Sequence, residues 1–210
     1  MNEPIVVEHP VCAHHLAILR DKATGSAAFR DALERVTSMI VYEATRDLTL
    51  DRPAVRTPLA EAPGAALNQR VGLVPILRAG LGMVGPALAV LPDAEVWHLG
   101  LYRDEATLEP VEYYKKLPAS QPVDVALVLD PMLATGGSAT AALHSVQRWG
   151  VRRLKLLSVL AAPEGLRRVA DAAPHAQVVV AAIDERLDER GFIVPGLGDA
   201  GDRTFNAVAE

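Results

Sequence analysis

Cysteine is nearly absent from this 210-residue chain, which contains only Cys12. A single cysteine cannot form a disulfide within the chain, and nothing in the sequence indicates an oxidising compartment. His14 and His15 follow closely, but one cysteine with two nearby histidines does not match the spacing of common zinc sites. We therefore interpret this stretch as an ordinary N-terminal segment and not as a metal site.

Long hydrophobic runs are also missing. The longest uncharged apolar stretch covers residues 79–91 and contains Pro86, whereas a membrane-spanning helix needs about 20 residues. The N-terminal sequence MNEPIVVEHPV has no basic segment, so it does not resemble a signal peptide. These absences predict a soluble, cytoplasmic protein with no membrane partner.

Aromatic residues make up only 4% of the chain, so its core must be built from Ala, Val, Leu and Ile. Hydrophobic residues reach 50% and charged residues 22%, a globular composition that excludes a largely disordered chain. The 21 Lys and Arg residues face 26 Asp and Glu, a formal net charge of −5. This balance disfavours a generic nucleic-acid-binding protein.

The N-terminal third of the chain predicts helices followed by an extended arm. Apolar residues recur at helical spacing over positions 29–40 and form a stripe, with charged residues on the opposite face. The pattern stops between Leu48 and Gln69, where Pro53, Pro58 and Pro63 indicate a loop or an arm.

The remaining chain alternates apolar strands with helices, which predicts βαβ units and a mainly parallel sheet flanked by helices. We expect one domain over residues 1–210, with N-terminal helices and arm at 1–70, an α/β core at 71–183 and a C-terminal tail at 184–210. The predicted strands are residues 71–77, 95–102, 123–129, 154–161 and 178–183, and the predicted helices are residues 82–90, 137–149 and 163–172.

Ligands of open α/β sheets bind beyond the carboxyl ends of the strands. The segments just after Leu77, Tyr102, Leu129 and Ile183 are therefore the places to search.

The segment after the third predicted strand has the features of a phosphate-binding turn. A helix N-terminus offers unpaired N–H groups, glycines allow close approach of an anion, and hydroxyls add donors. An acid at the strand tip suits ribose hydroxyls or a magnesium ion. The predicted phosphate-site residues are Asp130, Pro131, Met132, Leu133, Ala134, Thr135, Gly136, Gly137 and Ser138. A plain strand-to-helix turn with a Ser or Thr cap is the alternative.

A second glycine-rich segment follows the first predicted strand. Gly80, Gly82 and Gly85 fit G-x-G-x-x-G, which leaves a nicotinamide-dependent oxidoreductase as an alternative function. Pro75 lacks a donor for a central strand, and no acid closes the next strand, so we favour another interpretation. Arg78 and the glycine turn form a diphosphate-binding loop, in which the forked guanidinium is the main donor.

Residues 104–122 are polar, charged and proline-containing, which predicts a long loop. Arg103 precedes it and is placed to meet the same diphosphate, while Tyr113 and Tyr114 lie within it. A lid that excludes water and a mobile surface loop are both open interpretations.

Glycines in residues 191–203 expose backbone groups, and Ile193, Val194 and Leu197 are apolar residues that should anchor the segment. A floppy C-terminus is the alternative interpretation.

Three strings carry a family resemblance. DPMLATGGS, VPILRAGLGM and PGLGDAGDR resemble the corresponding segments of uracil phosphoribosyltransferases, which belong to the type I phosphoribosyltransferases. Many type I enzymes have two adjacent acids at the start of the first motif, where this chain has Asp130 and Pro131. The similar strings occur in order over nearly the whole chain.

The resemblance implies a type I phosphoribosyltransferase fold with a C-terminal hood, and transfer of the phosphoribosyl group from phosphoribosyl diphosphate (PRPP) to N1 of uracil. It also implies Mg²⁺ dependence, GTP as an activator and assembly into a homodimer or higher homo-oligomer. Ile193, Gly198, Asp199 and Ala200 would line the uracil pocket, with Asp199 also facing PRPP.

Four residues are the catalytic candidates under this resemblance: Asp130, Arg78, Arg103 and Asp199. No residue is a convincing general base, and Mg²⁺ would rest mainly on PRPP and water. An RNA-binding pyrimidine regulator on the same fold remains an alternative function, although the acidic charge balance argues against it.

Overall fold

The structure is a computed structural model that describes residues 3–103, 110–118 and 120–207, with only the backbone of residues 102, 103 and 110. Its helices are α1 (Pro10–Arg20), α2 (Ser26–Ala44), α3 (Val84–Val90), α4 (Gly137–Trp149), α5 (Pro163–Ala172) and α6 (Ala200–Phe205). A 3-10 turn, Ala79–Met83, precedes α3. Its strands are β1 (Ile5–Val6), β2 (Leu50–Asp51), β3 (Ala54–Arg56), β4 (Glu61–Pro63), β5 (Ala66–Leu67), β6 (Val71–Leu77), β7 (Glu95–Val96), β8 (Leu99–Arg103), β9 (Pro110–Lys115), β10 (Val125–Leu129), β11 (Met132–Leu133), β12 (Arg153–Ala161), β13 (Gln177–Ile183), β14 (Arg186–Leu187) and β15 (Ile193–Val194).

The central sheet has the order β1-β13-β12-β10-β6-β8-β9, with β7 paired to β6 and β11 paired to β12. All of these pairs are parallel except β8 with β9. The prediction of a mainly parallel α/β sheet is therefore confirmed.

Helices cover both faces of the sheet, which explains why its inner strands are apolar throughout. Every residue of β10 is buried. One hydrophobic cluster joins the sheet to α1, α2 and α3, and a second joins it to α4 and α5. The apolar stripe of α2, predicted from its spacing, is buried against the first cluster through Phe29, Leu33, Val36 and Ile40.

Residues 50–67 form the extended arm expected from the prolines. β2 pairs with β5 and β3 pairs with β4, both antiparallel, so the arm is a hairpin and not an unpaired loop. Most of its residues are exposed, and Leu59 near its turn is 97% exposed.

Several predicted elements are corrected by the structure. The predicted strand at residues 95–102 is divided into β7 and β8, and part of the predicted loop at 104–122 is the antiparallel strand β9. The tail predicted to be irregular contains β15 and α6. The N-terminal segment also supplies β1 to the sheet edge, because Ile5 and Val6 pair with β13.

The argument that Pro75 is unsuited to a central strand is wrong. Pro75 is buried within β6 and lies opposite Leu129 of β10. On the other side of β6, the ladder is interrupted between the pairs Leu73–Val96 and Ile76–Leu99. A missing N–H is tolerated beside such an interruption, because no regular ladder bond is lost there.

Gly150 ends α4 as predicted, in a left-handed conformation with φ of 107°. None of the helices within the described residues combines the length and the apolarity that crossing a bilayer requires.

We expect Ile40→Ala in α2 to lower the free energy of unfolding by about 2–5 kcal/mol, because it leaves a cavity at a fully buried position. The control on the same helix is Glu34→Ala at an exposed position, which should change the free energy of unfolding by less than about 0.5 kcal/mol. Urea unfolding measures both, and equal effects would contradict the assignment of the buried face.

Candidate active site

The loop after β6 packs directly against the end of β10. A Cβ atom placed on Gly80 would collide with the carbonyl oxygen of Leu129, and it would lie 3.2 Å from Cα of Pro75. Only glycine permits this approach, since the obstacle is backbone that cannot swing away. The Arg78–Met83 loop and the segment that starts at Asp130 are consequently neighbours at one edge of the sheet.

The segment of residues 130–138 forms a tight turn between β10 and α4. Its middle is the short strand β11, which pairs with Leu160 and Ala161 of β12. Gly136 precedes α4 in a left-handed conformation with φ of 77°. A Cβ on Gly136 would also lie 3.0 Å from the carbonyl oxygen of Gly165 in α5, so the turn is held closely against that helix.

This turn has the features of an anion-binding site. The first N–H groups of α4 have no acceptor within the helix, because the first helical bond runs from Thr140 N to Gly136 O. Thr135 and Ser138 flank these N–H groups and are half-buried. Hydroxyls beside the positive end of a helix dipole suit a phosphate group.

Asp130 lies at the tip of β10, directly before the turn. Burial raises the pKa of its carboxyl group from 3.8 to about 7, and a weak hydrogen bond from Met132 N, at 3.4 Å, opposes the increase only slightly. The side chain is therefore poised between its neutral and charged forms near neutral pH. A ligand that brings hydroxyl donors or a cation to it would favour the charged form.

The C-terminal tail carries the third part of the site. Ile193 in β15 pairs with Leu187, and the side chains of Ile193 and Ala200 are buried. Gly198 is exposed with φ of 80°, and the exposed Asp199 caps α6 by accepting from Asp202 N at 2.8 Å. At residues 198 and 199 the tail therefore presents backbone and a carboxylate, not apolar side chains.

The first loop contacts the tail as well as β10. Arg78 Nη2 donates to Asp202 Oδ1 at 3.0 Å, and a Cβ placed on Gly201 would lie 3.7 Å from Cβ of Ala79. The predicted diphosphate loop therefore lies between the end of β10, where the predicted phosphate turn begins, and the predicted base-binding tail.

The fourth predicted segment is described only in part. The backbone of Arg103 ends β8 at the same edge, because β8 is parallel to β6, but its side chain lies outside the described residues. The lid predicted over residues 104–122 also lies partly outside them, and its described portion includes the antiparallel strand β9.

Sequence reasoning missed two residues near the site. Asp202 is the partner of Arg78, and Arg168 of α5 has its Nη1 atom 3.5 Å from the position of a Cβ on Gly137. Asp202 lies inside the PGLGDAGDR string, so its motif was visible although its role was not. Arg168 carries no local signal, because only the packing of α5 on the turn brings it there.

No group of three or more His, Cys, Asp or Glu side chains within the described part of the chain could hold a metal ion. Asp130 is followed by Pro131 and not by a second acid. The turn thus offers one carboxylate, which fits a magnesium ion that a polyphosphate ligand and water coordinate for the most part.

Comparison with known proteins places the chain among close relatives. The family model described as uracil phosphoribosyltransferase matches residues 6–207. A curated uracil phosphoribosyltransferase from Roseiflexus castenholzii is 53% identical over 205 residues, which cover 98% of this chain and 99% of that protein.

Solved structures agree with this similarity. A protein from Aquifex aeolicus, 37% identical, superposes with a TM-score of 0.92 over 99% of this chain and 100% of that one. A hypoxanthine phosphoribosyltransferase from Trypanosoma cruzi, 11% identical, has a TM-score of 0.52 over 75% and 76% of the two chains. The second similarity concerns the fold alone.

We expect Gly80→Ala to destabilise the protein or displace the Arg78–Met83 loop, because the new methyl group meets the backbone of β10. Gly85→Ala is the matched control in the same glycine cluster, since a Cβ there meets nothing within 4 Å. Because Gly85 lies in α3, its replacement by alanine should raise the free energy of unfolding by about 0.5–1 kcal/mol. Urea unfolding compares the two variants, and a neutral Gly80→Ala would contradict the close approach.

Asp130 should make stability depend on pH. Its folded-state pKa lies above 3.8, so its contribution to stability is lost as pH rises from about 4 to about 7. Asp130→Asn removes this dependence. We expect the variant to match the wild type near pH 5 and to exceed its free energy of unfolding by on the order of 2 kcal/mol at pH 8.

Urea unfolding of both proteins between pH 5 and pH 8 measures this difference, with the exposed Asp93→Asn as control. A difference that stays constant with pH, or one that grows equally in the control, would contradict the burial of Asp130.

Proposed function

Because the chain belongs to the uracil phosphoribosyltransferase family, we propose that it transfers the 5-phosphoribosyl group of PRPP to N1 of uracil, giving UMP and diphosphate. It is then a pentosyltransferase of pyrimidine salvage. The observation that carries the proposal is the arrangement of three loops at one sheet edge: the Arg78–Met83 loop packs on the end of β10, where the phosphate turn begins, and contacts the base-binding tail.

The phosphate turn would hold the 5′-phosphate of PRPP. The N–H groups at the start of α4 and the hydroxyls of Thr135 and Ser138 are its donors, and the close packing on α5 keeps them in place before the ligand arrives. Asp130 at the strand tip would accept hydrogen bonds from the ribose hydroxyls. Donation by those hydroxyls favours the carboxylate over the neutral acid, so binding releases a proton when Asp130 is protonated.

Arg78 would hold the diphosphate. Only Nη2 donates to Asp202, and the described residues supply no other acceptor for its remaining N–H groups. These donors and, from the neighbouring strand end, Arg103 would stabilise the negative charge that grows on diphosphate as the bond to the anomeric carbon breaks. Mg²⁺ held by PRPP, water and at most one protein carboxylate would supply further charge stabilisation to the same leaving group.

The tail would present uracil to the sugar. Uracil offers two carbonyl acceptors and an N–H donor, which backbone groups around the exposed residues 198 and 199 can match, while the exocyclic amine of cytosine would face a backbone donor. Asp199 lies between the base and PRPP in this arrangement. The contribution of these residues is therefore positioning of N1 against the anomeric carbon, because no side chain of the site is an evident general base.

Two alternative functions lose their support. The glycine cluster of residues 80–85 forms a 3-10 turn and the start of α3, and Gly80 packs on the end of β10. The Roseiflexus castenholzii relative is named a uracil phosphoribosyltransferase and not an oxidoreductase. An RNA-binding regulator is not supported by the family match either, and the net charge is −5.

The proposal extends to properties that family membership alone supports. These are dependence on Mg²⁺, activation by GTP, assembly into a homodimer or higher homo-oligomer, and a cytoplasmic location. Titration of activity with EDTA and GTP, and sedimentation of the purified protein, test them separately.

Purified protein with Mg²⁺, PRPP and uracil should release diphosphate and form UMP. Orotate, cytosine and purines should not replace uracil, since the backbone pattern of the tail matches uracil alone among them. Chromatography of the nucleotide product measures this outcome. Diphosphate release with another base, but not with uracil, would overturn the assignment of the base.

Thr135→Val should raise the KM for PRPP by about tenfold or more and leave the KM for uracil within about twofold, because a single phosphate donor is lost. Thr45→Val at the C-terminal end of α2 is the control and should change neither constant. An unchanged KM for PRPP in the folded Thr135 variant would remove this residue from the phosphate site.

A further inference from the structure

An arginine–aspartate ion pair forms hydrogen bonds with the base-binding tail on its buried side. Arg20, the last residue of α1, donates from Nη1 and Nη2 to both carboxylate oxygens of Asp184, at 2.8 and 2.5 Å. Asp184 follows β13, and its side chain is only 4% exposed, against 26% for Arg20. The pair therefore lies at the same carboxyl edge of the sheet as the candidate active site, but beneath its surface.

The pair forms hydrogen bonds with both the N–H group and the C=O group of Gly196 in the tail. Gly196 N donates to Asp184 Oδ2 at 2.8 Å, and Gly196 O accepts from Arg20 Nη1 at 2.9 Å. Gly196 has φ of 64°, and a Cβ on it would collide with the carbonyl oxygen of Ile193. Gly196 is thus fixed in one conformation two residues before Gly198, where the exposed part of the tail begins.

A second arginine, Arg203, donates a hydrogen bond to the carbonyl group of the next residue in the tail. Arg203 Nη1 donates to Leu197 O at 2.7 Å and also to Leu19 O, and Arg203 Nη2 donates to Asp21 O at 2.7 Å. The carbonyl group of residue 196 accepts from Arg20, the last residue of α1, and that of residue 197 accepts from Arg203. Both arginines thus join the tail to the end of α1. Residues 196 and 197 are also buried, whereas Gly198 and Asp199 are exposed, so the groups that can meet a base begin at residue 198.

Stability alone does not account for a buried ion pair at this position. Taking two charges out of water costs about as much as their attraction returns, so the attraction within the pair adds little net stability. What the pair supplies is geometry, since a bidentate guanidinium–carboxylate contact fixes distance and orientation together. A fixed backbone geometry matters most where backbone N–H and C=O groups must match the hydrogen-bonding groups of a small planar ligand.

We propose that Arg20 and Asp184 are positioning residues that hold Gly196 so that the backbone of residues 198–200 is preorganised for uracil. The proposal rests on the proposed function and deepens it, because it assigns base recognition to a side-chain pair that does not touch the base. It also links the N-terminal helix α1 to the C-terminal tail.

Arg20→Lys tests the proposal, because lysine keeps the charge but cannot make the bidentate contact and bind Gly196 O as well. We expect the KM for uracil to rise by about tenfold, with the KM for PRPP within about twofold of the wild-type value. Hydrogen exchange of the unliganded protein should become faster at the amides of residues 196–200 and stay unchanged in β10. Asp184→Asn should produce the same pattern.

The matched control is Arg46→Lys. Arg46 makes an equally bidentate contact with Glu43, from Nε at 3.0 Å and Nη2 at 2.7 Å, but this pair lies on α2 and the turn after it. It should change neither KM nor the exchange of residues 196–200. Circular dichroism establishes the folded fraction of each variant, and all constants refer to folded protein.

Three outcomes would overturn the proposal: an unchanged KM for uracil in folded Arg20→Lys and Asp184→Asn, an equal rise in both KM values, or unchanged exchange in the tail. Failure of the proposed function has a separate signature. Wild-type protein would then form no UMP, while the exchange measurement would still report whether Arg20 and Asp184 fix the tail.

Discussion

The contact between the Arg78–Met83 loop and the end of β10 is the constraint on which the site depends. Gly80 lies against the carbonyl oxygen of Leu129 so closely that no side chain fits between them. This approach fixes the loop at the end of β10, and it leaves the outer side of the loop free to meet α6. If the loop moved outward, Arg78 would lose its contact with Asp202.

Charge is distributed unevenly around this edge, and the unevenness has chemical consequences. The predicted phosphate turn contains no Lys or Arg and offers an anion N–H groups, hydroxyls and the dipole of α4. Desolvation raises the pKa of Asp130, at the start of this turn, to about 7, so near neutral pH its carboxyl group carries less than a full negative charge. Cations stand at the rim and below the tail, where Arg78 pairs with Asp202 and Arg20 with Asp184. Under the proposed function, the negative charge of PRPP would therefore arrive beside an acid that is partly protonated.

Local signals were sufficient for the elements that pattern alone controls. The apolar run at residues 71–77 predicts β6 with the bounds that the structure has. The predicted starts of α4 at Gly137 and of α5 at Pro163 also agree with the structure. Predictions were wrong where pairing with a distant segment decides the outcome. β9 forms because β8 lies beside it, and Pro75 is accepted because the ladder on one side of β6 is interrupted. Neither cause is visible within a short window of sequence.

The α/β class and the family could be recognised from the chain alone, and a phosphate turn from Asp130 to Ser138 could be predicted from it, because each depends on the order of residue types within a short stretch. The fold was needed to show which stretches meet: Gly80 on Leu129, Arg78 with Asp202, and Arg20 and Asp184 around Gly196. These contacts join residues far apart in the chain, and their geometry is set by the register of parallel strands and by the packing of α1 and α6. A local pattern carries no record of either.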